Sequence, residues 1–498
     1  MHKNVVLSKL LCYGMFPERL EGVLTSKAFG HSILSKQVKL STTKKDTFKL
    51  LSYKLTRNNN APRYMGIPHP IAFVTLCNKL SRHWDKIEKV YKVRGYAKRS
   101  MILPKGNNNN YRLVSMNSYD KNPHSDKLQI EKQFGKKYYV HADVSECFPS
   151  IYTHSLCWAL VGKKEAKKNR WDNKKWYNVI DKACRAMQDG QTMGIPIGPD
   201  SSSILSEVIL SQIDRKLTKY SYIRYIDDYK CYCASKEEAD HFIIDLSREL
   251  EDYCLKLNPK KTRILSLPIA LNEDWVRRLR QLIDWDDISS KNKNKILAFL
   301  DLSSDLFRGN PSGASIRYAC QVIKKKPFKD YKSYEMILRY FLNLCFLYPY
   351  IIDICDDLIG IGISTFPSKT TTIKKLVGKS LAGILKEHTK YRRSDVVTWS
   401  FFLAIKYDLH IANLKDITSE VLDAADCIPT LMCYLYRKAN RKGVKRFSSK
   451  RTQVDEKEWW LFVYELSRIE KIKIANEEME KLRKKKITFL SDDITKNI

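Results

Sequence analysis

Tyr222-Ile223-Arg224-Tyr225-Ile226-Asp227-Asp228-Tyr229-Lys230-Cys231-Tyr232-Cys233 is the stretch whose reading decides the fold. Two short runs rich in aromatic and β-branched residues flank an acidic pair, the pattern of a β-hairpin with carboxylates at its turn. A solvated turn is the ordinary fate of an Asp-Asp pair, so the pair alone specifies little. Cys231 and Cys233 suit alternation along a strand better than zinc, because no CxxC pair or His partner completes a ligand set.

Upstream, Tyr138-Tyr139-Val140 feeds a strand ending at Asp143, within His141-Ala142-Asp143-Val144-Ser145-Glu146-Cys147-Phe148. Between strand and hairpin lie Gly194-Ile195-Pro196-Ile197-Gly198-Pro199 and the serines Ser201 to Ser203, read as helix N-caps. An amphipathic helix follows over Ser202 to Leu217, with apolar Ile204, Leu205, Val208, Ile209 and Ile213. Downstream come a helix over Ala239 to Leu255 and the segment Leu257-Asn258-Pro259-Lys260-Lys261-Thr262. Hard divalent cations need carboxylates, and Asp143 is expected to converge with Asp227 and Asp228 on a common ion site. Burying three acids would otherwise be costly.

Further out, the N-terminal part mixes short helical patterns with loops, including Arg63-Tyr64-Met65-Gly66-Ile67-Pro68-His69-Pro70, a helical pattern after Pro70, and a polar loop with Gly106 and Asn107 to Asn110. Beyond about Asn272 the pattern is helical, for example Ile316 to Ile323, Tyr334 to Leu347, Thr372 to Lys386 and Trp459 to Leu466. Short turns favour stacked antiparallel pairs. The fold class is α+β, with expected domains at 1–136, 137–270 and 271–498.

Across 498 residues, 89 Lys and Arg against 55 Asp and Glu leave a formal charge of +34, for which nucleic acid is the fitting polyanion. The plainer alternative is a Lys-rich surface. Hydrophobic residues make up 43% and charged residues 29%, the balance of a globular chain rather than a disordered one. The 13 cysteines have no regular spacing and no secretory leader opens the chain, which predicts a reducing, cytoplasmic setting. The longest apolar stretch, Phe341 to Ile352, is too short to span a membrane.

The ordered segments around Asp143, Gly194 to Pro199, Tyr225-Ile226-Asp227-Asp228 and Leu257 to Thr262 resemble the palm motifs of the reverse-transcriptase family. The resemblance implies fingers and palm of a right-hand polymerase, followed here by an all-α HEAT-like region. It further implies Mg²⁺ (or Mn²⁺) held by Asp143, Asp227, Asp228 and the backbone of Val144. Lys261 matches a lysine near the triphosphate, and a solvated lysine is its alternative reading. Phe148 matches an aromatic that excludes a 2′ hydroxyl, which would favour dNTPs, and is compatible with a packing role. Gly194, Pro196 and Gly198 are expected near the nucleotide or template, with Arg63 and Arg112 as weaker candidates for triphosphate or backbone contacts. A purely structural turn remains open for the glycines.

Tyr152-Thr153-His154-Ser155, Trp158, Gly162-Lys163 and Glu458-Trp459-Trp460-Leu461 narrow the resemblance to bacterial abortive-infection polymerases of the AbiK-like, defence-associated group. That group implies an antiviral role, a homo-oligomer (trimer or hexamer), and DNA synthesis that is protein-primed without a template or guided by a noncoding RNA. A loose alignment sets AbiK's priming tyrosine against Phe29-Gly30, which carries no hydroxyl, leaving Tyr13, Tyr53 and Tyr64 as candidate primers. Two basic stretches, Lys163 to Lys175 and Arg437 to Arg451, are candidate nucleic-acid contacts, with Tyr434, Tyr436 and Phe447 for stacking; solvated loops are their alternative. The rival readings are a conventional RNA-templated reverse transcriptase and an inert nucleic-acid-binding scaffold.

Overall fold

The computed structural model describes residues 1–41, 46–92, 100, 112–114, 123–310 and 314–498, without the side chains of 123–126. The loop of Gly106 and Asn107 to Asn110 lies outside the described residues. The chain divides into two compact units: residues 1–51, 66–271 and 471–489 form one, and residues 52–65, 272–470 and 490–498 the other. The architecture is α+β, with a helical C-terminal region.

Six strands are present among the described residues: β1 (Leu51–Thr56), β2 (Pro62–Ile67), β3 (Tyr138–Asp143), β4 (Ser221–Tyr225), β5 (Asp228–Cys233) and β6 (Arg263–Ser266). β1 and β2 pair with each other, while the others form an antiparallel sheet in the order β4-β5-β3-β6. Residues directly opposite in an antiparallel ladder share a face. Val140, Ala142, Tyr222, Arg224, Tyr229, Cys231 and Cys233 therefore share one face, and all are buried. Helices Asp200–Lys216 and Lys236–Glu251 pack on that face; Phe242 meets Tyr222 and Tyr220, and Tyr222 Oη donates to Asp214 Oδ1 at 2.7 Å. The opposite face carries Asp143, His141 and Tyr139 beside Asp228, Lys230 and Tyr232. Tyr139, Ile223 and Tyr232 form a small buried cluster there.

Helix Lys236–Glu251 begins at Ser235, whose Oγ accepts from Glu238 N at 3.2 Å, as expected of a serine cap. The serines Ser201 to Ser203 behave differently from the sequence reading. The helix begins two residues earlier, at Asp200, so the three lie inside its first turn, and the buried Oγ atoms of Ser201 and Ser202 have no hydrogen-bond partner among the described residues. Asp200 serves the neighbouring backbone instead, accepting from Leu113 N and Val114 N.

In the second unit, successive helices pack as neighbours: Thr370–Lys390 on Ser394–Lys406, that helix on Cys427–Ala439, and the latter on Trp460–Ile469. The residues from Ser394 to Ile405 are all buried. The β1–β2 hairpin joins this unit through Asp395, whose carboxylate accepts from Thr56 N at 2.7 Å and Thr56 Oγ1 at 2.8 Å. No helix among the described residues is long and apolar enough to cross a membrane.

His388 is buried between two fixed partners. Its Nε2 faces Phe346 O at 3.0 Å and its Nδ1 faces Arg393 at 2.9 Å, which leaves no favourable place for a second ring proton. Burial, then the Arg393 charge, pushes the imidazole down to about 4. A depressed base keeps its stabilising contribution above the unfolded value of about 6.5 and loses it as pH falls toward 4. Thermal denaturation at pH 7.5 and pH 5 is expected to show a larger loss for the wild type than for His388→Gln.

Candidate active site

The hairpin β4–β5 turns through only Ile226 and Asp227, since Tyr225 pairs directly with Asp228. Ile226 adopts φ 55°, a left-handed conformation that a β-branched side chain disfavours by about 1–2 kcal/mol. Two hydrogen bonds hold this turn: Arg224 Nη1 donates to Ile226 O at 2.9 Å, and Val144 N donates to Asp227 O at 3.1 Å. Val144, predicted as a backbone contributor, is thus where the β3 end meets the acidic turn.

Arg224 is fully buried on the back of the sheet. Its guanidinium meets Glu207 at 2.7 and 3.0 Å and Asp214 at 2.7, 3.1 and 3.2 Å, so its donors are used on two carboxylates and the turn carbonyl. Burial pulls the guanidinium pKa down, but Asp214 and Glu207 together carry it well above its ordinary value. Sequence reasoning assigned Arg224 no role. The available signal was Glu207 and Asp214, seven residues and so two turns apart on an otherwise apolar helix face, with one strand cation to meet them.

On the front face, Asp143 stands directly opposite Asp228. Asp143 is 5% exposed; its Oδ2 accepts from Lys261 Nζ at 2.9 Å and its Oδ1 from Asn258 Nδ2 at 3.1 Å. Asn258 N also donates to Asp143 O at 2.7 Å, fixing the loop that delivers Lys261. Asn258 was visible in the motif but unassigned, and His141 likewise: two residues before Asp143 on the same face, its Nε2 lies 3.4 Å from Asp228 Oδ1. Burial, then Asp228 and Asp143, pushes the Asp227 carboxyl up to about 6. Burial also raises Asp228, but the hydrogen bond and charge of His141, with Lys261 and Asp143, more than offset it and leave Asp228 below the usual carboxylate range.

Among the described residues no three His, Cys, Asp or Glu side chains are gathered with ligand geometry for a metal. The chemistry of the donors nevertheless fits a hard divalent cation: Asp143 and Asp228 face each other across the ladder with Asp227 in the adjoining turn, and their charges repel that of Asp227. Lys261 and Asn258 occupy the Asp143 oxygens as a cation would.

Phe148 lies half-buried in the short helix Cys147–Ser150. Its carbonyl accepts from Ile195 N at 3.0 Å, and Gly194 N donates to Ile151 O at 2.8 Å. Gly194 has φ 83°, and a Cβ there would stand 3.1 Å from Pro149 O; Gly198 has φ 128° and faces the Pro17 ring. The close approach these glycines permit is to the protein's own chain, Gly194 to the Phe148 helix and Gly198 to Pro17. Pro196 packs against Gly66.

Arg112 is turned inward, its fork on Asp200 Oδ1, Glu21 Oε1 and Phe16 O, so its charge serves the fold around Gly198. Arg63 is exposed on β2, in the second unit. Of the candidate primers, Tyr53 is fully buried, Tyr13 half-buried and Tyr64 61% exposed.

Residues 94–300 match the family described as reverse transcriptase (RNA-dependent DNA polymerase), and this span contains β3 to β6 with Asp143, Asp227 and Asp228. The chain carries a reverse-transcriptase domain. Structures similar to this chain include apo telomerase from Candida tropicalis truncated from its C-terminal domain, at TM-score 0.31 and 15% identity over 47% of this chain and 53% of that one. Apo telomerase from Candida tropicalis gives TM-score 0.35 and 13% identity over 74% and 71%. Telomerase from Candida albicans in complex with a TWJ fragment of telomeric RNA gives TM-score 0.30 and 12% identity over 80% and 68%. The chain spans about half the length of the first of these. No curated protein matches it in sequence.

Breaking a buried ion cluster from one side leaves uncompensated charge, at a cost of about 3–5 kcal/mol. Arg224→Met should lose about that much in denaturant unfolding. Adding Glu207→Leu and Asp214→Leu should recover most of the stability, yet nucleotide incorporation should stay low because Ile226 O has lost its donor. Recovery of both together would show that Arg224 acts on stability alone.

Proposed function

We propose that the chain is a DNA polymerase of reverse-transcriptase type, adding dNTPs at a centre formed by Asp143, Asp227 and Asp228. The observation that supports this most is the β3–β5 register, which sets Asp143 across from Asp228 with Asp227 in the adjoining turn. Mg²⁺ or Mn²⁺ held by these carboxylates would supply activation of the attacking hydroxyl and stabilisation of the leaving pyrophosphate.

The chain's own residues do the rest. Lys261, whose side chain is 60% exposed beyond its contact with Asp143, can leave that carboxylate for the triphosphate and give a proton to the departing pyrophosphate. Asn258 remains to orient Asp143. Phe148, braced by Ile195 N, excludes the 2′ hydroxyl sterically and selects dNTPs. His141 holds Asp228 in its ionised form.

The finer reading is a defence-associated polymerase of the AbiK-like group, acting as a homo-oligomer and either protein-primed or guided by a noncoding RNA. Its support is the sequence resemblance around Tyr152 to Lys163 and Glu458 to Leu461. Tyr64, the most exposed of the three candidate tyrosines, is the proposed primer.

Purified protein with Mg²⁺ or Mn²⁺ should incorporate dNTPs. Asp227→Asn with Asp228→Asn should lower incorporation at least about a thousandfold, roughly 4 kcal/mol in barrier, without loss of fold. Unchanged incorporation would refute the assignment. Phe148→Ala should raise the use of ribonucleotides relative to dNTPs in a competition assay. Synthesis without added template or primer should leave DNA covalently attached to the chain, and Tyr64→Phe should abolish that adduct on denaturing gels.

A further inference from the structure

The two basic stretches differ in what surrounds their charges. In and just before Arg437 to Arg451, the aromatics Tyr434, Tyr436 and Phe447 are buried in the helical core, so they cannot stack on a base. Arg437, Arg446 and Arg451 are tied to Thr418, Ser419 and Ser467. In Lys163 to Trp176 the arrangement is reversed. Trp171 is 80% exposed, and Lys164, Lys167, Lys168, Arg170 and Lys174 are exposed with it, without an ion pair among the described residues.

This loop is built rather than slack. Asn178 Nδ2 donates to Asn169 O at 2.8 Å and to Asp172 O at 2.9 Å, while Asp172 Oδ1 accepts from Lys174 N at 2.8 Å. Glu165 Oε1 accepts from Asn169 Nδ2 at 2.8 Å and from Tyr177 Oη at 3.2 Å, tying helix Lys163–Lys168 to helix Trp176–Ala186. A pinned loop that keeps an indole in water forgoes the burial that normally stabilises Trp. The Arg170 guanidinium lies 4.9 Å from the Trp171 ring centroid, covering one face and leaving the other for a planar ligand.

We propose that Lys163–Trp176 is a second nucleic-acid site, separate from the carboxylate centre, that binds single strands by stacking a base on Trp171 and neutralising phosphates with Lys164, Lys167, Lys168 and Lys174. Cations spaced around an aromatic platform suit a flexible polyanion with unpaired bases; a duplex hides those bases, and an acidic peptide has none. The inference rests on the polymerase reading only in expecting such a strand to be at hand.

The test uses the full chain in EDTA, where binding is measured without synthesis, by fluorescence anisotropy of labelled oligo-dT and oligo-U longer than about 16 nucleotides. Trp171→Ala should weaken binding about tenfold and Trp171→Phe much less. Lys167→Gln with Lys168→Gln should lower the slope of log affinity against log salt by up to about 1.4. Photocrosslinks from a substituted oligonucleotide should map to the peptide containing Trp171. Unchanged affinity and slope in these variants, or equal binding of a duplex hairpin and of polyglutamate, would overturn the proposal. Incorporation by the same variants on saturating substrate is measured separately, so a protein that binds without polymerising refutes the polymerase reading alone.

Discussion

The pairing of Asp143 with Asp228 across β3 and β5 is the constraint on which the rest of the structure depends. Side chains alternate along a strand, so a slip of one residue would move Asp143 to the apolar face and leave the acidic turn alone. The register is held from both sides. On the back, Val140, Ala142, Tyr222, Tyr229, Cys231 and Cys233 fill the space under the two helices; at the end, Val144 N and Asp227 O close the ladder onto the turn.

Electrostatics on the two faces are complementary in design. The back face neutralises a buried cation with two acids and spends its remaining donor on the turn carbonyl. On the front face Asp143 and Asp228 meet polar and cationic groups that are more exposed: Lys261 and Asn258 on Asp143, and His141 on Asp228. A closed, fully matched cluster stabilises geometry, whereas an under-matched one with an exposed lysine can exchange partners. On the proposed function, that contrast separates a structural ion cluster from a reactive site within a single sheet.

Much of this was legible in the sequence, because alternation, turn composition and helical periodicity are local signals. The hairpin, β3, the buried helix after Pro199 and the later helices lie within a few residues of their expected bounds, as with Ile316 to Ile323 against Ser315–Ile323. What was not legible depends on partners distant in the chain. Ser201 to Ser203 looked like caps, but Asp200 had an unseen buried engagement with Arg112, Leu113 and Val114. Arg112 looked like a phosphate ligand until Asp200 and Glu21 claimed it. Tyr434, Tyr436 and Phe447 sat in a basic stretch, yet helical packing turned them inward. Nor does local pattern reveal that residues 52–65 pack with the helical unit, or that Phe489 returns to meet Phe16 and Phe29.

On the proposed function, Asp143, Asp227 and Asp228 share one divalent cation site. Its most direct measurement is anomalous scattering from Mn²⁺ in crystals of the full chain grown with a non-hydrolysable dNTP. A manganese peak bound by carboxylate oxygens of Asp143 and of the Asp227-Asp228 turn is expected, with Lys261 released toward the triphosphate. Manganese bound elsewhere, or no peak at these carboxylates at saturating Mn²⁺, would contradict it.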